Sequence, residues 1–514
     1  MAPIRLLSFV AGMLMLASAP AAQCELAKLR DADTMGFGNG LAMSGQVAWI
    51  GGYHKALAYE FEDGEWVQTL DVPGFDGGSF GYGVAVDSSI AVVGSSTPDF
   101  GPVGGYAYVF ERHGDTWSLV DSLAGLESTV LDYFGLSVAV SGSTIAVGAP
   151  SDNKQGTLAG EVYIFELQPS GWKETAQLFP SDPEIFKSFG EAVALQGDRL
   201  LVGAYGDTDG VQDAGSAYIF ERQGGVWLEQ AHLVAAPLKK GDGAGYSVAL
   251  DGDLALLGAP GGKGLAKNAG VVYVFEHGGS GWEQTAKLFA SDGVADEGFG
   301  TRVATSAGRI LVGKPRDHAP KLHDVLTAYL FERDGRDWVE TKIFPSDKAK
   351  FSEFGSSVAL SGDLALIGAP FDPDASEAVP PGAVYFLDVD ATTVWHDLGS
   401  GLAGAGGVPA LVVQGELCAG MPLVATLQGA APGAPVGMIF GLAVAGVPFK
   451  GGTLVPQPDA VAFSVTDASG AMTLQAVLPK TVPPELDLVA QAWVVDAGGP
   501  AGFAASNAIS GTVD

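Results

Sequence analysis

Cysteine is nearly absent from this chain, with only Cys24 and Cys418 among 514 residues. That excludes a small fold stapled by disulfides, although in an oxidising compartment the two could pair or stay free thiols. Basic residues are scarce too, 27 Lys and Arg against 59 Asp and Glu. Such an acidic excess argues against DNA, RNA or an anionic lipid surface as partner and leaves divalent cations or basic partners open. The seven histidines share no recurring register and none stands beside an obvious nucleophile, so no catalytic triad can be proposed. Two apolar stretches, 6–16 and 434–449, both fall short of the roughly 20 residues that span a bilayer. The second is rich in Gly and Pro and is expected to form paired strands. The first follows Arg5 and precedes Ala19-Pro20-Ala21-Ala22, the pattern of a secretory signal with an A-x-A-like cleavage site. The expectation is a removed signal at 1–22, a mature chain from Gln23 and a secreted protein with no transmembrane segment. A lipid-anchored Cys24 fits poorly, because Gln23 directly precedes it.

What the chain has in abundance is glycine in register. Phe-Gly recurs at Phe37-Gly38, Phe80-Gly81, Phe134-Gly135, Phe189-Gly190, Phe299-Gly300 and Phe354-Gly355, with Ala244-Gly245 in the remaining place of the series. From Phe134 onward the copies are 55 residues apart, and self-similarity at such a period marks solenoids and propellers. Within each unit, apolar and polar residues alternate as in strands, and a short turn such as Gln196-Gly197-Asp198 joins the first two. Gly-Ala-Pro closes the second strand at 148–150, 258–260 and 368–370. A third strand carries an aromatic pair, as in Tyr163/Phe165 or Tyr218/Phe220.

A tryptophan follows in every unit, at Trp66, Trp117, Trp172, Trp227, Trp282, Trp338 and Trp395, seven of the nine in the chain. Such a ring of indoles could stack on sugars, but a residue repeated in every unit is read first as packing. Four strands per unit and seven units predict an all-β chain, a seven-bladed β-propeller over 23–398 followed by a small β-sandwich at 399–514. Leu26-Ala27-Lys28-Leu29 matches the fourth-strand pattern of Ala286-Lys287-Leu288 yet precedes the first Phe-Gly. It is expected to supply the outer strand of the last blade, in competition with the segment around Trp395.

The order Phe-Gly, Gly-Ala-Pro, Gly-x-Val-Tyr-x-Phe resembles the FG-GAP repeat, so 25–398 looks like the N-terminal propeller of integrin α subunits and its bacterial relatives. The resemblance implies extracellular recognition or adhesion, often with calcium in the hairpin between the Phe-Gly and Gly-Ala-Pro strands. A calcium loop needs several oxygens converging from one turn, and here the hairpin is cut to turns such as Ser361-Gly362-Asp363. The family's calcium is therefore not carried over to those turns. One substitute lies in the following loop, where Asp207, Asp209 and Asp213 retain three acidic positions and could hold Ca2+.

Residues 399–514 turn rich in Gly, Ala, Val and Pro, with short apolar alternations split by turns. Gly-x-Ser sequences such as Gly355-Ser356-Ser357 lack the final Gly of a nucleophile elbow and recur with the repeat, which marks them as structural. The most individual segment follows Gly313-Lys314-Pro315 and carries Arg316, His318 and His323, which could hold an anion or a metal. The loop after Gly-Ala-Pro and the loop entering Phe-Gly should share one face, and variable loops on a rigid scaffold are where recognition resides. The resulting expectation is a binding or adhesion protein for an extracellular protein or glycan, not an enzyme, with a passive scaffold as the alternative and a propeller hydrolase behind it.

Overall fold

The computed structural model describes residues 24–512 except 32, 63–64, 76–78, 97–103, 130, 209, 238, 315–326, 346–351, 373–380, 390–395, 415–421, 442–443, 459 and 478–486. The expected signal at 1–22, Trp395 and the pairing of Cys24 with Cys418 therefore lie outside the described residues. Regular structure within them is β throughout, apart from one 3-10 turn at Pro500–Gly502.

Each repeat forms a four-stranded antiparallel sheet, and there are seven. Sheet 1 runs Gly40–Ser44, Val47–Gly52, Lys55–Glu62, Glu65–Pro73. Sheets 2 to 6 repeat that order over 80–123, 137–178, 189–233, 247–288 and 302–343. Sheet 7 takes its first three strands from Ser357–Ser361, Leu364–Ala369 and Ala383–Asp388, and its outer strand is Cys24–Leu29. The start of the chain thus closes the last sheet, as its Leu-Ala-Lys-Leu pattern predicts. His396–Gly399, beside Trp395, pairs with Ala508–Thr512 instead.

The hydrophobic core lies between sheets. Second strands such as Thr144–Ala149 and Leu254–Ala259 are buried along their whole length, which is why they read as continuous apolar runs rather than alternations. Each described tryptophan of the series packs on the preceding sheet. The Trp66 ring lies 4.3 Å from Phe386 of sheet 7, and Trp117 donates its indole N–H to Glu60 of sheet 1 at 3.0 Å. Trp172 and Trp227 join clusters with Val109 and Ile164 of the sheets before them. Burying such a side chain contributes roughly 1.5–3 kcal/mol, so the repeated indole is an inter-sheet key and not a sugar platform.

Two sets of contacts show why both glycines of the repeat recur. The penultimate residue of each second strand, always glycine, lies against the Phe-Gly glycine of the next sheet. A Cβ on Gly51, Gly94, Gly148, Gly203, Gly258, Gly313 or Gly368 would fall 1.8–2.1 Å from the carbonyl oxygen of Gly81, Gly135, Gly190, Gly245, Gly300, Gly355 or Gly38 respectively. The last of these contacts joins sheet 7 to sheet 1. Beside it, the serine of the Gly-x-Ser sequences donates to the same carbonyl, Ser137 to Gly190 at 2.8 Å, Ser247 to Gly300 at 2.9 Å, and Ser357 to Gly38. Those hydroxyls are spent on the interface between sheets.

At the other end of the first strands, the turns form a closed ring of hydrogen bonds. The backbone N–H of Ser88, Gly142, Gly197, Gly252, Gly308, Gly362 and Gly45 donates to the side-chain oxygen of Ser44, Asp87, Ser141, Gln196, Asp251, Ser306 and Ser361, at 2.5–3.3 Å. Each donor belongs to the sheet after its acceptor, and the seventh bond returns to sheet 1. All seven turns are two residues long, from Ser44↔Val47 to Ser361↔Leu364, which leaves no room there for a loop of several converging oxygens.

The chain divides into two compact units, Ala27–Phe386 and a second that comprises the residues from Leu387 onward together with Cys24–Leu26. In the second unit one sheet has the order His396–Gly399, Ala508–Thr512, Asp487–Val495, Pro435–Gly441, Ala460–Val465, and another joins Ala410–Gln414, Pro422–Gln428 and Met472–Val477. Leu411, Leu427 and Met472 of the smaller sheet pack on Val436, Met438, Ala492 and Val494 of the larger. This is a β-sandwich. The apolar stretch 434–449 supplies Pro435–Gly441 and Val444–Phe449, both paired strands.

Candidate functional site at the axial mouth

The loop leaving Gly-Ala-Pro and the loop entering Phe-Gly meet at one end of sheets 3, 4, 5 and 7. The backbone N–H groups of Ser151, Gly206, Gly261 and Phe371 donate to the carbonyls of Asp132, Lys187, Asp242 and Ser352 at 3.1–3.2 Å. In those sheets the expected shared face is built by main-chain bonds. The residue following each Phe-Gly pair stands at this end of the innermost strand. It is Tyr82 in sheet 2, Glu191 in sheet 4 and Tyr246 in sheet 5. Tyr53 and Tyr205 take the place of the proline in Gly-Ala-Pro.

These side chains converge. The rings of Tyr205 and Tyr246 lie 5.7 Å apart at 73°, and the Arg302 guanidinium lies 5.9 Å from the Tyr246 ring centre. Arg302 keeps a 3.0 Å bond to the carbonyl of Thr301. Burial raises the Tyr82 phenol; the charge of Arg302 opposes the rise, while Tyr53, Tyr246 and Glu353 add to it. Burial likewise raises the Glu191 carboxyl, against the pull of Arg302, and the Tyr205 phenol, with help from Glu191 and Tyr246. Tyr82 and Arg302 belong to sheets 2 and 6, which are not neighbours in the ring, so their fields meet across the axis. Tyr82 remains 40 % exposed. The mouth thus holds four tyrosines, one guanidinium and one half-buried carboxylate on rigid strands.

Of the acidic residues expected to hold a cation, Asp209 lies outside the described residues and Asp213 is exposed. Asp207 is turned inward and buried. Its carboxylate accepts from Ser216 and, at 3.1 Å, from Tyr218, and it lies 3.1 Å from Nε2 of His232. Asp182, Asp207 and His232 are close enough together to hold a metal. However, Lys187, fully buried, already places its ammonium 3.0 Å from Asp182 and 3.5 Å from Asp207. It also donates to Tyr218 Oη and to the Asp182 carbonyl, each at 2.7 Å.

The same tyrosine, carboxylate and cation recur in other sheets with different sequence origins. Tyr329 donates to Asp292, which pairs with Lys342, both at 2.8 Å. Tyr385 donates to Asp372 at 2.8 Å, and Asp372 pairs with Lys28 and Arg30. Asp207 therefore belongs to a structural series in which a side-chain ammonium or guanidinium neutralises the acid beside the third-strand tyrosine. Arg316, His318 and His323 lie outside the described residues.

In sheet 3 the series contains a carboxyl that titrates near neutrality. Glu161 is fully buried, and Lys154 lies 3.0 Å from Oε1. Burial pushes its carboxyl up to about 7; the bonds from Tyr163 and Lys154 oppose this, and the charge of Asp152 adds to it. A folded pKa above the unfolded value of 4.5 means that the folded state holds this proton more tightly. The associated stability is complete below pH 4.5 and is lost as pH rises through about 7. Urea midpoints measured from pH 5 to pH 8 should fall by the equivalent of about 2–3 kcal/mol in the native chain. In Glu161→Gln that slope should largely disappear, and an unchanged slope would assign the titration to another group.

Seven four-stranded sheets closed in a ring, with loops converging on the axis at one end, define a seven-bladed β-propeller. A family model for the FG-GAP repeat matches residues 117–165, 172–220, 227–275, 282–331 and 338–387, and the chain is an FG-GAP repeat protein. Each match runs from the tryptophan of one blade through the third strand of the next, so the repeat straddles the blade interface that its glycines and indole build. Blade 1 and the first three strands of blade 2 share the strand order but lie outside these matches, and they carry Gly51-Gly52-Tyr53 and Gly94-Ser95-Ser96 where blades 3, 5 and 7 have Gly-Ala-Pro. No curated protein matches the chain. Among the described residues no helix is long and apolar enough to cross a membrane.

Proposed function

We propose that this chain is a secreted, extracellular binding protein that takes its ligand at the axial mouth of the propeller, and that it is not an enzyme. Support for export comes from Arg5, the apolar run 6–16 and the small residues Ala19 to Ala22. The observation that carries the binding reading is the convergence of Tyr82, Tyr205, Tyr246, Arg302 and Glu191 from four blades on one opening. Aromatic surface with a few placed polar groups on a rigid frame is the composition of a recognition site. The hydroxyls and buried acids of the repeat are taken up by blade contacts, which leaves no activated nucleophile among those groups to support catalysis.

The test is a screen of the purified chain against extracellular glycans and proteins, in calcium and again in chelator, beside a Tyr82→Ala/Tyr246→Ala variant. A saturable ligand lost in the variant at unchanged melting temperature is the expected result. Chelator should have no effect, because Lys187 already neutralises Asp207. Binding that survives the double substitution would move the site elsewhere, and no binding at all would favour a passive scaffold. Turnover of a glycan, abolished by a single carboxylate substitution, would establish an enzyme.

A further inference from the structure

We infer that the axial mouth selects a neutral carbohydrate, a reading that rests on the proposed binding function and names its ligand class. The hydrogen-bonding inventory of the mouth is one-sided at two points. Arg302 can only donate, and Glu191, when ionised, can only accept. Glu191 makes no side-chain hydrogen bond or ion pair among the described residues, and Arg302 has only the carbonyl of Thr301. A ligand lying between them must both accept and donate within a small volume, which neighbouring sugar hydroxyls do.

Charge narrows the class further. Glu191 and the exposed Glu353 flank the same opening as Arg302. A carboxylate or sulfate ligand would meet two like charges for one opposite, and an ammonium, though drawn to the carboxylates, offers no acceptor to the guanidinium. The tyrosines complete the fit. The rings of Tyr205 and Tyr246 stand at 73°, Tyr82 is 40 % exposed at the opening, and a pyranose ring offers C–H-lined faces to such surfaces while its edge hydroxyls reach phenols and charges.

The experiment uses the full purified chain on an array of neutral oligosaccharides, built from glucose, xylose, mannose and galactose, alongside uronate-containing and sulfated oligosaccharides and a set of peptides. Hits are quantified by calorimetry for the native chain and for Tyr82→Ala, Tyr246→Ala and the isosteric Glu191→Gln. Binding of a neutral oligosaccharide, weakened about tenfold or more in each variant at unchanged melting temperature, is the expected result. Glu191→Gln keeps the shape of the mouth, so a loss there cannot be ascribed to misfolding. Preference for acidic saccharides, or neutral binding indifferent to all three substitutions, would overturn the inference. Peptide binding without saccharide binding would overturn it and leave the binding function standing, whereas no binding to any probe would remove both.

Discussion

Replacing Gly258 with alanine should cost at least about 3 kcal/mol and sharply reduce the yield of folded protein. The added Cβ would stand 2.1 Å from the carbonyl oxygen of Gly300 and 2.2 Å from Ser247 Oγ. The first of these atoms is backbone of the next blade, itself held by Gly300 N–H to the Gly313 carbonyl at 3.1 Å. Relief requires blades 5 and 6 to separate by more than an ångström, which breaks the Ser247 to Gly300 bond and opens the core between them. A closed ring cannot open at one joint without straining the others. Gly252→Ala is the control. Its site is open on all sides, with φ +57, and it should cost only about 1 kcal/mol of left-handed strain. Melting temperatures of the two variants decide the matter: similar values would mean that the close approach of the two glycines does not govern the repeat.

The same contact explains how much of this molecule could be read from its sequence. Phe-Gly and Gly-Ala-Pro recur because two backbones meet wherever blade meets blade, so the repeat records the geometry of the interface as well as that of the sheet. The outer-strand role of Leu26 to Leu29 was legible for a similar reason, since it had to match Ala286-Lys287-Leu288 to fill the same place. The mouth was less legible. Three of its residues, Tyr82, Glu191 and Tyr246, lie in the one position that follows each Phe-Gly and does not repeat, filled elsewhere by Asn39, Leu136, Thr301 and Ser356. Scanning for motifs passes over a position whose meaning is its variation. Only the fold shows that seven such positions, most of them 55 residues apart, surround one axis.

Asp207 illustrates the opposite difficulty. Its spacing to Asp209 and Asp213 suggested a cation loop, but spacing along the chain carries no information on which way a carboxylate turns. Aligning the blades would have shown Asp152, Asp207 and Asp372 in one register, four residues after the second-strand glycine, and Tyr163, Tyr218 and Tyr385 in another. Recurrence in that register points to the blade interior, where the partner cation need only arrive in space. Lys187 comes from the loop before Phe-Gly, Lys28 from the outer strand and Lys342 from the fourth strand, so no sequence motif could contain the cluster.

Removal of that cation in blade 4 should be among the most damaging changes available to the propeller. Lys187→Met keeps the length of the side chain and deletes the charge, leaving the buried Asp207 and the partly exposed Asp182 facing one another across Tyr218. Losing one partner of a buried ion pair costs about 3–5 kcal/mol, because the remaining charge keeps its desolvation penalty without its compensation. The double variant Lys187→Met/Asp207→Asn removes both charges and should recover part of that loss. The amide oxygen introduced by Asp207→Asn would still accept from Ser216 and Tyr218, so the hydrogen bonds that orient the loop survive. Urea midpoints for the native chain, both single variants and the double variant complete the cycle. A double variant more stable than Lys187→Met would show that the lysine serves mainly to neutralise Asp207. Strictly additive losses would mean instead that Lys187 acts through its bonds to Tyr218 and the Asp182 carbonyl, with the buried carboxylate indifferent to its presence.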